Sequence, residues 1–287
     1  MMRPARLAVL VALAVGASLP ACRSATRREP PRRDAEARAH TPSPASPATP
    51  DTPPAPDTPA PPAAAPPAPP APAADDAAWR EVFPHVRVHI ARREVEFDGV
   101  VPIDPHNPQT PRIFLEALAC TADTKEHESL VMTRARPSHV HAALLLVGLQ
   151  PGAPGRWDWT GDTIRAIPPT GPRVRVEVHV ARDGRDVAEP LASWAVSART
   201  GESLVSHDAG HGLVFAGSQM ITRAGDSVYR ADAEGCIVGL TTFGGETIAW
   251  TAMHHHDTAV EDPAWIADPA RLPPFGSPVR VRITPAD

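Results

Sequence analysis

Arg173-Val174-Arg175-Val176-Glu177-Val178-His179-Val180-Ala181 puts a valine at every second position, with charged or polar residues between. Successive side chains of a strand point to opposite faces, so this spacing predicts a half-buried β-strand whose valine face meets a core. Outward from it, residues 86–90 and 94–101 alternate in the same way around Ala91-Arg92-Arg93 and predict a hairpin. Further strands are expected at 113–119, 129–133, 193–197, 213–215, 218–222, 228–231, 237–242 and 279–283. Turn signals stand at Asp183-Gly184, Ala224-Gly225-Asp226 and Gly244-Gly245. In one place the period changes: Val140, Ala143, Leu144 and Val147 recur at helical spacing. Pro137 suits a first helical turn, and Gly148 with Pro151-Gly152 marks the stop, which predicts a helix over about 137–149. The expected class is α+β, mainly β, with antiparallel strands packed with one helix. No period of 20–50 residues repeats, which excludes solenoids and propellers.

The chain before this region is a different kind of sequence. Arg3 and Arg6 precede an apolar run over residues 7–19, too short to span a bilayer, and the small pair Pro20-Ala21 leads into Cys22. Leu19-Pro20-Ala21-Cys22 resembles a bacterial lipobox, so residues 1–21 are expected to be a lipoprotein signal peptide and Cys22 the lipidated residue. An ordinary signal peptide ending near a cysteine is the plainer alternative. Six arginines fall between Arg23 and Arg38, where they would lie against anionic headgroups or serve as a solvated spacer. Residues 41–74 are almost wholly Pro, Ala, Thr, Ser and Asp. Proline removes N–H donors, so this stretch is expected to be a disordered, extended tether reaching about 100 Å. Residues 22–75 are thus read as the tether and 76–287 as one β-rich domain. Arg23 rather than Asp after the cysteine points to the periplasmic side of the outer membrane. A net charge of −5 and no basic face interleaved with aromatics argue against nucleic acid as a partner.

Several stretches of the domain resemble the YdjY-type domain of uncharacterised exported bacterial proteins. They are Leu115-Glu116-Ala117-Leu118, Lys125-Glu126-His127-Glu128-Ser129-Leu130 and His141-Ala142-Ala143-Leu144-Leu145-Leu146-Val147-Gly148. Phe215-Ala216-Gly217-Ser218-Gln219, residues 229–235 and Pro273-Pro274 with Val279-Arg280-Val281 continue the match. Together they span most of residues 85–285, and Lys-x-His-Glu-Ser is the most specific element. The resemblance implies a family without an established reaction. Some relatives are described as ferredoxin-like, but a cluster generally needs four thiolates, and beyond Cys22 this chain has Cys120 and Cys236. No iron–sulfur cluster is therefore expected. In an oxidising periplasm these two thiols either pair or stay buried and free.

The candidate functional residues are Lys125, His127, Glu128, Ser129 and His141. Lys125 is the one lysine among 28 Lys plus Arg, and a compact ammonium differs in geometry from a guanidinium. His139 and His141 fall in the first turns of the expected helix, where the dipole disfavours a protonated imidazole. His127, His139 and His141 are accordingly the residues that would hold a divalent metal. Against this, His127 and Glu128 would diverge on a strand, and a turn-capping or buried structural role accounts for the same residues. His254-His255-His256-Asp257, and His207 with His211, are read as incidental exposed clusters. A Gly-x-Ser-x-Gly elbow, a phosphate-binding glycine loop and His-Glu-x-x-His are all absent from the sequence. Two functions remain. One is a non-catalytic envelope module that binds a protein, a glycan or a small ligand. The other is a metal-assisted or acid–base enzyme centred on Lys125, His127, Glu128 and His141.

Overall fold

A computed structural model describes residues 78–161 and 163–286. The signal peptide, Cys22 and the tether read from the sequence lie outside these residues. The main sheet has eleven strands. They are β1 (Arg80–Phe83), β2 (Val86–His89), β3 (Glu94–Val100), β4 (Ala117–Thr121), β5 (Ser129–Thr133), β6 (Arg173–Arg182), β7 (Arg185–Pro190), β8 (Leu213–Phe215), β9 (Cys236–Gly239), β10 (Ile248–Trp250) and β11 (Pro278–Pro285). Following hydrogen-bonded neighbours, β3, β11, β6, β8, β10, β9, β4 and β5 form a ring that closes where β5 meets β3. The sheet is therefore a barrel, with β1–β2 and β7 attached outside the ring. Most pairings are antiparallel, as expected; β4–β5 and β9–β10 are parallel.

Long strands make the closure workable by sharing their edges. One edge of β3 pairs with β11 along its length, while the other is divided between β2 at Glu94–Phe97 and β5 at Gly99 and Val100. Gly99 permits that second contact, because a Cβ there would lie 2.5 Å from Val131 Cγ1 and 3.0 Å from Met132 O. Likewise β6 pairs with β11 on one edge and with β7 and β8 on the other. The β6–β7 turn is Asp183-Gly184, both with positive φ (50° and 74°), the backbone of a two-residue hairpin matched to strand twist.

The valines at 174, 176, 178 and 180 are buried, as their alternation predicts, and join one core cluster with Phe97, Leu118, Leu130, Phe215, Ile248 and Ile283. Outward-facing charges pair across the strands: Glu96 accepts from Arg87 and Arg282, each at 2.8 Å.

Helix α1 spans Pro137–Leu146, with Val140, Ala143 and Leu144 buried, and Gly148 follows it at φ +84°. One N–H of its first turn is capped from a distance. Ser138 N donates to Asp232 Oδ1 at 2.8 Å, from α3 (which, after the four-residue α2 at Leu204–His207, spans Arg230–Glu234).

Elements differ from expectation mainly in position. The strand expected at 113–119 begins at Ala117, because Phe114 makes an isolated bridge to Ile266 instead of entering the ladder. The strand expected at 228–231 ends at Tyr229, where α3 begins. A hairpin of Arg156–Thr160 and Thr163–Ile167, and strands β1, β7 and β10, were not signalled by alternation.

Candidate functional site

Strands β4 and β5 are adjacent and parallel, yet only residues 122–128 join them. The connection must double back along β4, and this return path brings the Lys125–Glu128 turn beside the start of the strand. Asp123 takes a positive φ of 61°, Thr124 N donates to Glu126 Oε2 at 2.8 Å, and Glu126–Glu128 form one 3-10 turn. Glu116 N then donates to Glu128 O at 2.9 Å. Ser129 closes the turn from beneath: it is fully buried, and its hydroxyl donates to Lys125 O at 2.7 Å.

Lys125 is held by two partners. Its ammonium donates to Glu116 Oε2 and sits over the Phe243 ring, 3.7 Å from the centroid. The charge is thus matched by an anion and a π face within the protein. Glu116 is the residue that the sequence reading missed. It stands nine positions before Lys125, and nothing in local spacing reveals a neighbour supplied by a parallel strand pair.

Glu128 lies against the same carboxylate. Burial raises its pKa above the usual carboxylate range, and the negative charge of Glu116 adds to the shift. A carboxyl pair of this kind favours retention of a proton. His127 is mostly exposed, at 70% of its side chain, and its Nε2 is 4.0 Å from Glu128 Oε1. In a turn rather than a strand, His127 and Glu128 need not diverge, and both border a cleft of about 440 Å³.

The far wall of this cleft carries the histidine triplet and Glu261. His254, His255 and His256 are not one exposed cluster. His255 is buried, with 8% exposure, between Trp157 (ring centroids 4.7 Å apart) and a stacked His256 (4.7 Å). His256 also contacts Phe243 at 5.0 Å, the ring that carries Lys125, so the two walls are joined through aromatic packing. His254 places Nδ1 3.3 Å from Glu261 Oε1 and Nε2 3.2 Å from Asp208 Oδ2. Asp208 also accepts from Trp250 Nε1 at 2.9 Å and lies 2.9 Å from His207 Nδ1. Despite the cost of burial, these hydrogen bonds and the nearby imidazoles hold its pKa below the ordinary aspartate value. His211 lies apart, 3.2 Å from Thr251 Oγ1.

His139 and His141 do not join His127. His139 stacks on Phe83 with ring centroids 5.0 Å apart. His141 places Nδ1 2.9 Å from the Tyr229 hydroxyl and meets Phe215 edge-on. Burial lowers the His141 pKa and pushes Tyr229 up to about 12, so both are held neutral. The three imidazoles considered as metal ligands are therefore dispersed among separate partners. Among the described residues no three His, Cys, Asp or Glu side chains are grouped as metal ligands. What the cleft assembles is a carboxyl pair, an exposed imidazole and a second histidine wall, groups suited to hydrogen bonding and to proton transfer.

No curated protein and no solved structure matches the chain. The family model of the YdjY domain matches residues 86–284, from the first residue of β2 almost to the end of β11. The match thus takes in the whole closed ring and both walls of the cleft, and the chain belongs to the YdjY domain family.

Proposed function

We propose that the domain is a non-catalytic binding module, displayed from a lipid anchor at Cys22 by the proline-rich segment, and that the cleft beside His127 and Glu128 is its binding surface. One observation carries this reading: Glu116, Glu128, His127, His254, His255 and Glu261 border one cleft of about 440 Å³, within the usual range for ligand pockets. Its carboxylates and imidazoles suit a hydrogen-bonding partner such as a small polar ligand, a glycan or an envelope protein's side chain. Lys125 supports the turn instead of offering a free ammonium, since Glu116 and Phe243 already hold it. Ser129, Cys120 and Cys236 are buried and do not line the cleft. A long tether suits a domain that must reach its partner.

A second reading has its own observation. The raised pKa of Glu128 beside Glu116 is the arrangement of a general acid, so acid–base catalysis with His127 as proton acceptor is the alternative.

Native mass spectrometry of the full chain, incubated with a soluble envelope extract, tests both. A bound species that survives with wild type and with His141→Phe, but is lost from Glu128→Gln and His255→Ala, supports the cleft. Recovery of that species unchanged after long incubation supports binding alone, and its conversion supports the enzyme. Equal retention by all four proteins would remove the cleft from consideration.

A further inference from the structure

Two buried thiols that the proposed binding function leaves unused, both free in the structure, face each other across a strand pair. Cys120 on β4 is the register partner of Cys236 on β9, and these strands run antiparallel. Thr121 N donates to Gly235 O at 2.8 Å, so the ladder bond joins the residues that flank the cysteines. This makes Cys120 and Cys236 a non-hydrogen-bonded pair, the position where Cα atoms lie about 4.5 Å apart and side chains approach most closely. A disulfide accepts Cα separations of about 4.4–6.8 Å. The two register shifts in this strand pair, at Cys236/Val238 and Val238/Gly239, begin immediately after Cys236, on the side away from the Thr121–Gly235 bond. Gly235, next to Cys236, lets the 121–124 segment pack close to this end of β9. Its φ is +74°, and a Cβ there would lie 2.2 Å from Thr124 Oγ1. Both side chains are buried, at 0% and 3% exposure, and Cys120 neighbours Ser129 and the Lys125 backbone.

We infer that Cys120 and Cys236 close a disulfide when the chain folds in the presence of a disulfide oxidant, cross-linking β4 to β9 beneath the Lys125–Glu128 turn. As the S–S bond forms, the two thiols lose two protons and two electrons. The oxidant's own disulfide accepts them and leaves as two thiols. Attack requires a thiolate, and burial holds both thiols above their ordinary pKa, with Glu246 adding to the shift at Cys236. The bond therefore forms while the strands assemble, and a reduced barrel, once folded, resists it.

The test uses the full chain carrying Cys22→Ser, which leaves Cys120 and Cys236 as its two cysteines. The chain is unfolded, reduced, and refolded either with reduced glutathione alone or with an oxidised and reduced glutathione mixture. After oxidative refolding, alkylation in denaturant is expected to label neither cysteine, and proteolysis to release the Cys120 and Cys236 peptides as one linked species. Chain refolded reduced and then given the same mixture should keep both alkylatable thiols far longer. Two free thiols after oxidative refolding, or glutathione adducts at either position, would overturn the cross-link. Equally fast oxidation of the folded chain would overturn its timing. Where refolding yields too little protein, the same alkylation count on chain exported into an oxidising compartment decides between linked and free thiols.

Discussion

Lys125 bears on the sequence and the structure together. Its ammonium fits between Glu116 and the Phe243 ring, and its side chain is 21% exposed. A guanidinium is planar and longer, and it would have to displace one of these partners. Lys125→Arg is therefore expected to lower stability by about 1 kcal/mol, the usual scale for disturbing a part-buried contact, measured by denaturant unfolding. Unchanged stability would mean that the turn tolerates either cation, and the fit to Phe243 would lose its significance. The lone lysine was visible in the sequence because arginine fills every other basic position. Its meaning was not visible, because Glu116 and Phe243 come from segments on opposite sides of it in the chain. His141 stood out equally, and burial against Phe215 and Tyr229 makes it part of the core's lining.

At the scale of elements, glycine decides how closely strands can meet. Gly99 does not need a left-handed backbone; it needs the absence of a side chain, with Val131 Cγ1 at 2.5 Å from a Cβ built there. Gly99→Ala should push β5 off β3 and destabilise the protein by about 1–3 kcal/mol, the cost of overpacking a core. A thermal melt reads the loss directly. A melt no lower than that of wild type would show that Val131 can turn aside. Alternation made β2, β3, β6 and β11 legible, since in each the apolar core residues alternate with charged or polar ones. It failed for β10, which is buried on both faces and only three residues long. It also failed for β1, which is mostly exposed. The helix was legible from Val140, Ala143 and Leu144, yet the Asp232 cap at its start comes from 94 residues away. Within the triplet His254–His256, the burial of His255 was not foreseen because it comes from Trp157 on a separate hairpin, whereas His256 is exposed.

For the whole molecule, composition separated a proline-rich N-terminal segment from a β-rich remainder, and family membership covers residues 86–284 of that remainder. Among the described residues no helix is long and apolar enough to cross a membrane. The proposed attachment is at Cys22, and Cys22→Ser should move the chain out of the membrane fraction or leave its signal peptide uncleaved. Cell fractionation with N-terminal mass analysis reads both. Mature protein still in the membrane fraction would refute the lipid anchor.

The ring itself is uneven around its circumference. β11 grips β3 through six register pairs and β6 through another six, whereas β5 meets β3 at Gly99–Thr133 and Val100–Met132 alone. A closed hoop distributes load until a weak fastening yields, and here three seams are equally short: β5–β3 at Gly99, β6–β8 and β9–β10 have two register pairs each. Strain applied to the barrel, whether thermal or mechanical, would part it at one of these short seams first. It would then open as a curved sheet with its long antiparallel strands still zipped. The Gly99 seam lies at the far end of β5 from the Lys125–Glu128 turn, so a breach there would expose the core while the cleft's near wall kept its shape.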